Sequence, residues 1–539
     1  MEEKEETKVL ENSEKELKIK KIGAIAFAIL IVAFLALGFL LNKKLLKAPI
    51  DDLQDDKIKF NQFISQVQTS YKNNVALKEN FINLNGFFLR ITGRNHYNNV
   101  TRLKNGMLTY GSLPEIDMQP FADGITEFDA YLKENGIDYI YVLAPIKCDL
   151  GNTLVYTGSV NFSNQNADKL LKGFGKDVSY IDLRPYLVSD PDLVKKYFYV
   201  TDHHWNTDGA FEAFKIFLSQ LNEKYPDANI DMSLIDKDNW DVTTYEKCFL
   251  GSHGKRVGKY YAGIDDFLLY TPKFETQMSM YVPKYKAYYE GTFKESVFVK
   301  EEYVTNKNFF NETPYVAYIG GDYPIVHHRN PNASSDLKIL ILKDSFALPF
   351  QSFLSCAFKE IDVVDPRYFT ECTLAEYVAI SKPDLVITLM NPSVFNDTSY
   401  QKTGVAQGKY HSNQTTETVV VEKEKLEIKA AIKNSHANSV VLDKVPYNTK
   451  ITISFDDVEF LAGNSEYITV ALYDSTEQKF ISNYAFDIDY YREKGKFEWT
   501  FLSPDSGSNN LQILIYAGGH GHTEGNHARF TNIQVIQYS

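Results

Sequence analysis

Cysteine is scarce: four in 539 residues (Cys148, Cys248, Cys356 and Cys372), with no Cys-x-x-Cys pair and no Cys/His spacing that suits zinc. A thiolate metal site is therefore not expected. A Cys356–Cys372 bridge is allowed in an extracellular domain, but four isolated thiols is the preferred reading. Basic residues form no stripe and the formal net charge is −13, which excludes a nucleic-acid surface. Tryptophan occurs three times against 36 Tyr and 36 Phe. That aromatic surplus suits large cores or surfaces that stack on sugars. No internal repeat is visible.

Long uncharged runs are also rare, with one exception. Ile22 to Leu41 is 20 residues without a charge, flanked by Lys18, Lys20 and Lys21 on one side and Lys43, Lys44 and Lys47 on the other. A helix of about 20 apolar residues spans a bilayer. Secretory apolar regions are shorter, roughly 7–15 residues, and no small-residue cleavage site follows. The expectation is an uncleaved single-pass anchor at residues 22–41. Six lysines precede the run and three closely follow it, which puts residues 1–21 in the cytoplasm and the remainder outside the cell.

Beyond the anchor the pattern becomes α/β. A helical spacing over Phe121–Asn135 leads into the strand Asp138–Leu143, and a helical segment, Asn166–Phe174, precedes the strand Ser179–Leu183. After Thr201-Asp202-His203-His204-Trp205, Asn206 or Thr207 caps a helix to about Lys224. Residues 240–315 are Tyr-rich and irregular and read as an insertion or lid, with the Gly-punctuated run Gly251–Gly258. The α/β pattern resumes at Leu337–Leu342, followed by Lys343-Asp344-Ser345-Phe346 and a helix over Ala347–Phe358. Two more strands are expected at 361–364 and 384–389. From about residue 412 the helical signal almost vanishes, and alternating runs such as Lys450–Phe455 predict an all-β sandwich to residue 539.

Two stretches carry chemistry. Ser345 ends a buried strand and opens a helix, which exposes its hydroxyl beside helix-terminal N–H groups. An Asp-Ser pair alone is more simply a helix cap. The spacing Asp202-x-His204 shifts that balance, because a carboxylate two residues before an imidazole sets its tautomer and stabilises the imidazolium. Together they supply hydroxyl, imidazole and carboxylate for acyl transfer. Asp202, His203 and His204, with His327 and His328, are of metal-ligating type, but adjacent residues commonly point apart, and neither metal nor other cofactor is expected. Trp205 reads as packing that holds the His loop.

Asp202-His203-His204-Trp205 with Asp344-Ser345-Phe346 resembles the DHHW family, relatives of the AlgJ/AlgX alginate O-acetyltransferases within the SGNH hydrolase-like superfamily. Gly106, Gly320-Gly321-Asp322-Tyr323 and Asp365-Pro366-Arg367 are also similar, and the resemblance spans about residues 60–400 of a domain read as 60–405. It implies an SGNH-like, flavodoxin-like parallel sheet in permuted order. Strands 337–342, 361–364, 384–389, 138–143 and 179–183 then share a sheet, with the Ser and His loops on one rim. Ser345, His204 and Asp202 would form the triad. The Ser345 N–H is the first oxyanion donor, with Asn391, Gly320 and Gly321 as further candidates. Arg367 would bind substrate or, preferably, pair with Asp365. The resemblance implies an extracellular polysaccharide O-acetyltransferase fed by a membrane-bound O-acyltransferase, with the sandwich acting as a carbohydrate-binding module. A carbohydrate acetyl esterase and a non-catalytic glycan-binding scaffold are the alternatives.

Overall fold

A computed structural model of the protein describes residues 20–391, apart from scattered positions between 23 and 75, and residues 414–539, apart from 432–435, 507–509 and 520–522. Most of the expected cytoplasmic tail, several positions of the 22–41 run and the junction between the two expected domains lie outside the described residues. The described residues of the run are helical. Among the described residues no helix is long and apolar enough to cross a membrane. The chain divides into two units, Met1–Ile91 and Thr92–Ser539. The first contains the helices Lys44–Gln54, Phe60–Asn74 and Lys78–Ile91.

The second unit is built on one large sheet. Its strands are β1 (Asp138–Leu143), β2 (Tyr180–Asp182), β3 (Met278–Val282), β4 (Ala287–Gly291), β5 (Ile325–Arg329), β6 (Ser335–Lys343), β7 (Phe358–Val364) and β8 (Leu385–Met390). Their order across the sheet is β2-β1-β8-β6-β7-β5-β3-β4. The first five are parallel neighbours; β5, β3 and β4 add on antiparallel. The sheet is thus mixed and larger than the expected parallel one. Two of the extra strands come from the segment read as an insertion, where Met278, Met280 and Val282 are buried and alternate with half-exposed Ser279 and Tyr281. That period of two is the signature of a half-buried strand.

Both faces of the parallel part are covered, which is why its strands are almost wholly apolar. Ile339 and Ile341 of β6 face a core shared with Phe211, Phe214 and Phe217 of the helix Thr207–Lys224 and with Phe350. Leu340 and Leu342 face the opposite core, with Phe128 of the helix Gln119–Glu134 and Tyr377 of the helix Leu374–Ser381. Burying each such side chain contributes about 1.5–3 kcal/mol. The helix after Ser345 runs from Ala347 to Leu354, shorter than expected, because Phe358 already belongs to β7.

The carboxyl-terminal region consists of antiparallel sheets. One contains Glu417–Lys429, His527–Tyr538, Lys450–Phe455 and Phe497–Leu502, with Asp457–Ala462 also paired to His527–Tyr538; the other contains Asn438–Leu442, Leu511–Tyr516, Tyr467–Asp474 and Lys479–Asp487. Phe497, Trp499 and Phe501 alternate inward on one strand. Their core continues into the Leu340/Leu342 face of the large sheet. At that junction the buried Asp362 of β7 accepts from His327 Nδ1 at 2.6 Å and from the Tyr490 hydroxyl at 3.1 Å. All four cysteines are free thiols.

Candidate active site

The parallel strands end on one rim, and both motif stretches lie there. Asp344, the first residue past β6, donates its N–H to Leu389 O of β8. Its carboxylate accepts the N–H of Phe346 at 2.8 Å and that of Asn391 at 2.7 Å. The turns after β6 and β8 are thereby tied to one side chain. Burial pushes the Asp344 carboxyl up to about 6, against those two N–H groups. The amides of Phe346, Ala347 and Leu348 bond within this turn, to the Asp344 carboxylate, Asp344 O and Ser345 O, and Ser345 itself is half-buried.

The second stretch is a pinned loop. Phe198 and Trp205 form an antiparallel bridge at its base, and Asn206 N–H donates to Tyr197 O. Asn206 then caps the helix Thr207–Lys224 by accepting from Gly209 N–H at 2.9 Å. At the loop tip His204 Nδ1 lies 2.5 Å from Asp202 Oδ1, and His204 Nε2 lies 2.7 Å from Ser345 Oγ. These partners assign the tautomer: Nδ1 carries the proton toward the carboxylate and Nε2 accepts from the serine.

Asp202 is buried and fully engaged. Oδ1 also accepts the His204 N–H at 3.1 Å, and Oδ2 accepts the Ser252 N–H at 2.6 Å. Burial alone would raise its pKa, but His203, His204 and the Ser252 N–H together hold it well below the usual carboxylate range. Gly251 is required beside it. A Cβ there would come within 2.3 Å of Asp202 Cβ. The Gly-punctuated run thus packs against the carboxylate.

His204 is also gripped through its ring. Tyr315 stacks on it at 3.9 Å between centroids and 10° between planes, and Phe346 lies at 5.0 Å. The Tyr315 hydroxyl and the Trp205 indole N–H both donate to Phe346 O, at 3.2 and 3.0 Å. Trp205 is wholly buried, in keeping with the packing role read from the sequence. Tyr315, Ser252 and Gly251 were not legible as site residues, because each arrives from the irregular segment by a long-range contact.

Asn391 and Gly320 donate elsewhere. Asn391 is buried with its side-chain amide donating to Ala144 O at 3.0 Å. Gly320 N–H donates to Val316 O. Gly320 and Gly321 have φ of +92° and +150°, so they supply a turn that side-chain-bearing residues rarely adopt. That turn delivers Asp322 to a buried cluster. There Lys343 pairs with Asp322 and, at 3.1 Å, with Asp365, while Arg367 reaches Asp365 at 2.6 Å and Asp322 at 3.1 Å. Two cations and two carboxylates neutralise one another there. Arg367 takes the structural option, pairing with Asp365.

Asp202, His203 and His204 each place one metal-ligating atom within 4.8 Å of the others. The Asp202 and His204 atoms already hold each other and Ser345, and His203 Nδ1 holds Ser252 Oγ at 2.9 Å. A metal would have to displace these contacts, so the donor set fits a hydrogen-bonded relay better. The three chemical parts present are a hydroxyl, an imidazole aimed at it and a carboxylate behind the imidazole. Such a set can activate a serine.

Residues 115–231 match the family model of the SGNH hydrolase-like domain, acetyltransferase AlgX. Over this segment the match agrees with the resemblance to AlgX read from the motifs. The matched segment contains Asp202 and His204. Among solved structures, Bacillus cereus PatB1 with a sulfonyl adduct is 19% identical, with 56% of this chain and 99% of that one covered at a TM-score of 0.47. A DHHW family protein from Eubacterium siraeum is 19% identical over 56% and 94%, at 0.44. Pseudomonas aeruginosa AlgX is 10% identical over 83% and 96%, at 0.39. No curated protein matches the chain.

Proposed function

We propose that the protein is an O-acetyltransferase acting on an extracellular glycan, with Ser345 as nucleophile, His204 as general base and acid, and Asp202 as its orienting carboxylate. The observation that carries this reading is the 2.7 Å approach of His204 Nε2 to Ser345 Oγ, with Asp202 2.5 Å behind the same imidazole. The family match over residues 115–231 supports acetyl transfer as the reaction class.

In the first half-reaction Ser345 Oγ attacks the acetyl carbonyl of the donor as its proton passes to His204 Nε2. The Ser345 N–H stabilises the tetrahedral oxyanion. The donor's leaving group departs with the proton from His204, and acetyl-Ser345 remains. In the second half a sugar hydroxyl gives its proton to His204 and attacks the acetyl carbonyl. Collapse breaks the Ser345 ester and returns the proton to Oγ. Asp202 stays ionised throughout and stabilises the imidazolium.

On this reading the Ile22–Leu41 run anchors the protein in the membrane with the site outside. A membrane-bound O-acyltransferase supplies the acetyl group, and the carboxyl-terminal sheets hold the polysaccharide. Each is a proposal motivated by the uncharged run and the family resemblance. The test is turnover of an acetyl ester with and without glycan acceptor. Acetylated glycan is the expected product; free acetate at a rate no glycan alters would instead indicate an esterase. Unchanged glycan acetylation in cells carrying Ser345→Ala would indicate a scaffold.

A further inference from the structure

Lys147, just beyond the end of β1, is 1% exposed. A buried lysine needs partners for its three N–H donors. It finds three backbone carbonyls: Tyr199 O at 2.8 Å, Val200 O at 3.2 Å and Asp202 O. All three belong to the loop that carries Asp202 and His204. Two N–H groups of the same segment are held by a single carboxylate. Asp265 accepts from Val200 N–H and Thr201 N–H, each at 2.8 Å, and from the Thr201 hydroxyl at 2.6 Å. An ammonium thus grips the carbonyls while a carboxylate grips the amides. The four residues before His203 have little freedom left.

We propose that Lys147 is a positioning residue of the Ser345 site, its ammonium holding the 199–202 backbone so that Asp202 and His204 meet the serine. The inference rests on the serine-nucleophile reading above. Its charge acts in the same direction as its hydrogen bonds, because a cation beside Asp202 favours the carboxylate. The charged and titratable groups facing it are Asp202 and His203 of the loop, Asp265 of the strand Asp265–Pro272, and His253 of the helix Ser252–Val257. Burial pushes the ammonium down to about 7, with Asp265 and Asp202 resisting. Losing its proton leaves two N–H donors for three carbonyls. The grip therefore weakens on the alkaline side.

The test is the rate at which phenylmethylsulfonyl fluoride labels Ser345, followed by peptide mass spectrometry on the full chain. The Ser345 Oγ–S bond forms, the S–F bond breaks, fluoride leaves, and His204 takes the proton. Lys147→Met keeps the side-chain length but removes all three donors. It is expected to slow labelling on the order of 10²-fold, the effect of misplacing catalytic groups by about 1 Å. The wild-type rate is expected to fall along an alkaline limb between about pH 7 and the ordinary lysine value of 10.5, a limb the variant lacks. A folded Lys147→Met chain with the wild-type rate and profile overturns the inference alone. Should that variant not fold, the wild-type profile decides, and a profile without the limb overturns it. An unlabelled wild-type chain overturns the nucleophile reading on which the inference depends.

Discussion

The indole N–H of Trp205 donates to the carbonyl oxygen of Phe346 at 3.0 Å. It joins the residue after His204 to the residue after Ser345, and so sets the distance between imidazole and hydroxyl. A phenylalanine at 205 would keep most of the packing and lose the bond. Because the Tyr315 hydroxyl still donates to Phe346 O, Trp205→Phe is expected to cost about 0.5–1.5 kcal/mol and to lower acetyl transfer roughly tenfold. Thermal unfolding and turnover of an acetyl ester measure the two effects. Full activity in the variant would remove Trp205 from the account.

Tyr315 stacks on His204 nearly face to face. A ring in that position favours the imidazolium formed during transfer, an effect of about 0.5–2 kcal/mol, or roughly twofold to thirtyfold in rate. Tyr315→Leu also removes one donor from Phe346 O. Activity should fall within or slightly beyond that range, with the loss in kcat rather than KM, because the ring contacts His204. A change confined to KM would assign Tyr315 to substrate binding instead.

Gly251→Ala tests the support of Asp202 by steric means. The new methyl group would overlap the Asp202 backbone and Cβ. Something must shift, and the Ser252 N–H that holds Oδ2 moves with it. Activity should drop by a factor on the order of 10². Circular dichroism would separate this from unfolding. An active Gly251→Ala enzyme would mean that the loop tolerates displacement of the carboxylate.

Asp362 gives a pH prediction away from the site. Burial opposes its ionisation, but His327 and the Tyr490 hydroxyl hold its pKa well below the ordinary carboxylate range. A depressed carboxylate contributes stability that is present above its unfolded value, about 3.9, and lost as pH falls toward the folded one. Asp362→Asn should therefore lower the melting temperature at neutral pH, by an amount equivalent to about 3–5 kcal/mol for a broken buried pair. The gap to wild type should narrow below about pH 4. Melting curves at the two pH values decide; a constant gap would mean that packing, not charge, sets the cost.

How much of this was legible beforehand follows from the range of each interaction. The run Leu337–Leu342 followed by Asp344-Ser345, and the spacing Asp202-x-His204, are local patterns. The structure brings those residues together at hydrogen-bonding distance. Residues 240–315 show short β-like pieces, but that β3 and β4 extend the large sheet was not legible, because Met278–Val282 is short and its partner β5 lies some 45 residues on. Asn391 follows β8, and its side chain donates to Ala144 O; position along a strand does not fix where an amide points. Lys147 and Asp265 carried no signal, since each acts on groups some 50 to 65 residues away.

The central claim is an acetyl group carried on Ser345. The direct measurement is mass spectrometry of the Ser345 peptide after brief incubation with an acetyl donor, then again after adding glycan. The account predicts an acetylated Ser345 that disappears as the glycan gains acetyl groups, and no such peptide in His204→Ala. Glycan acetylated at the wild-type rate by Ser345→Ala, or an acetyl-Ser345 that glycan never discharges, would contradict it.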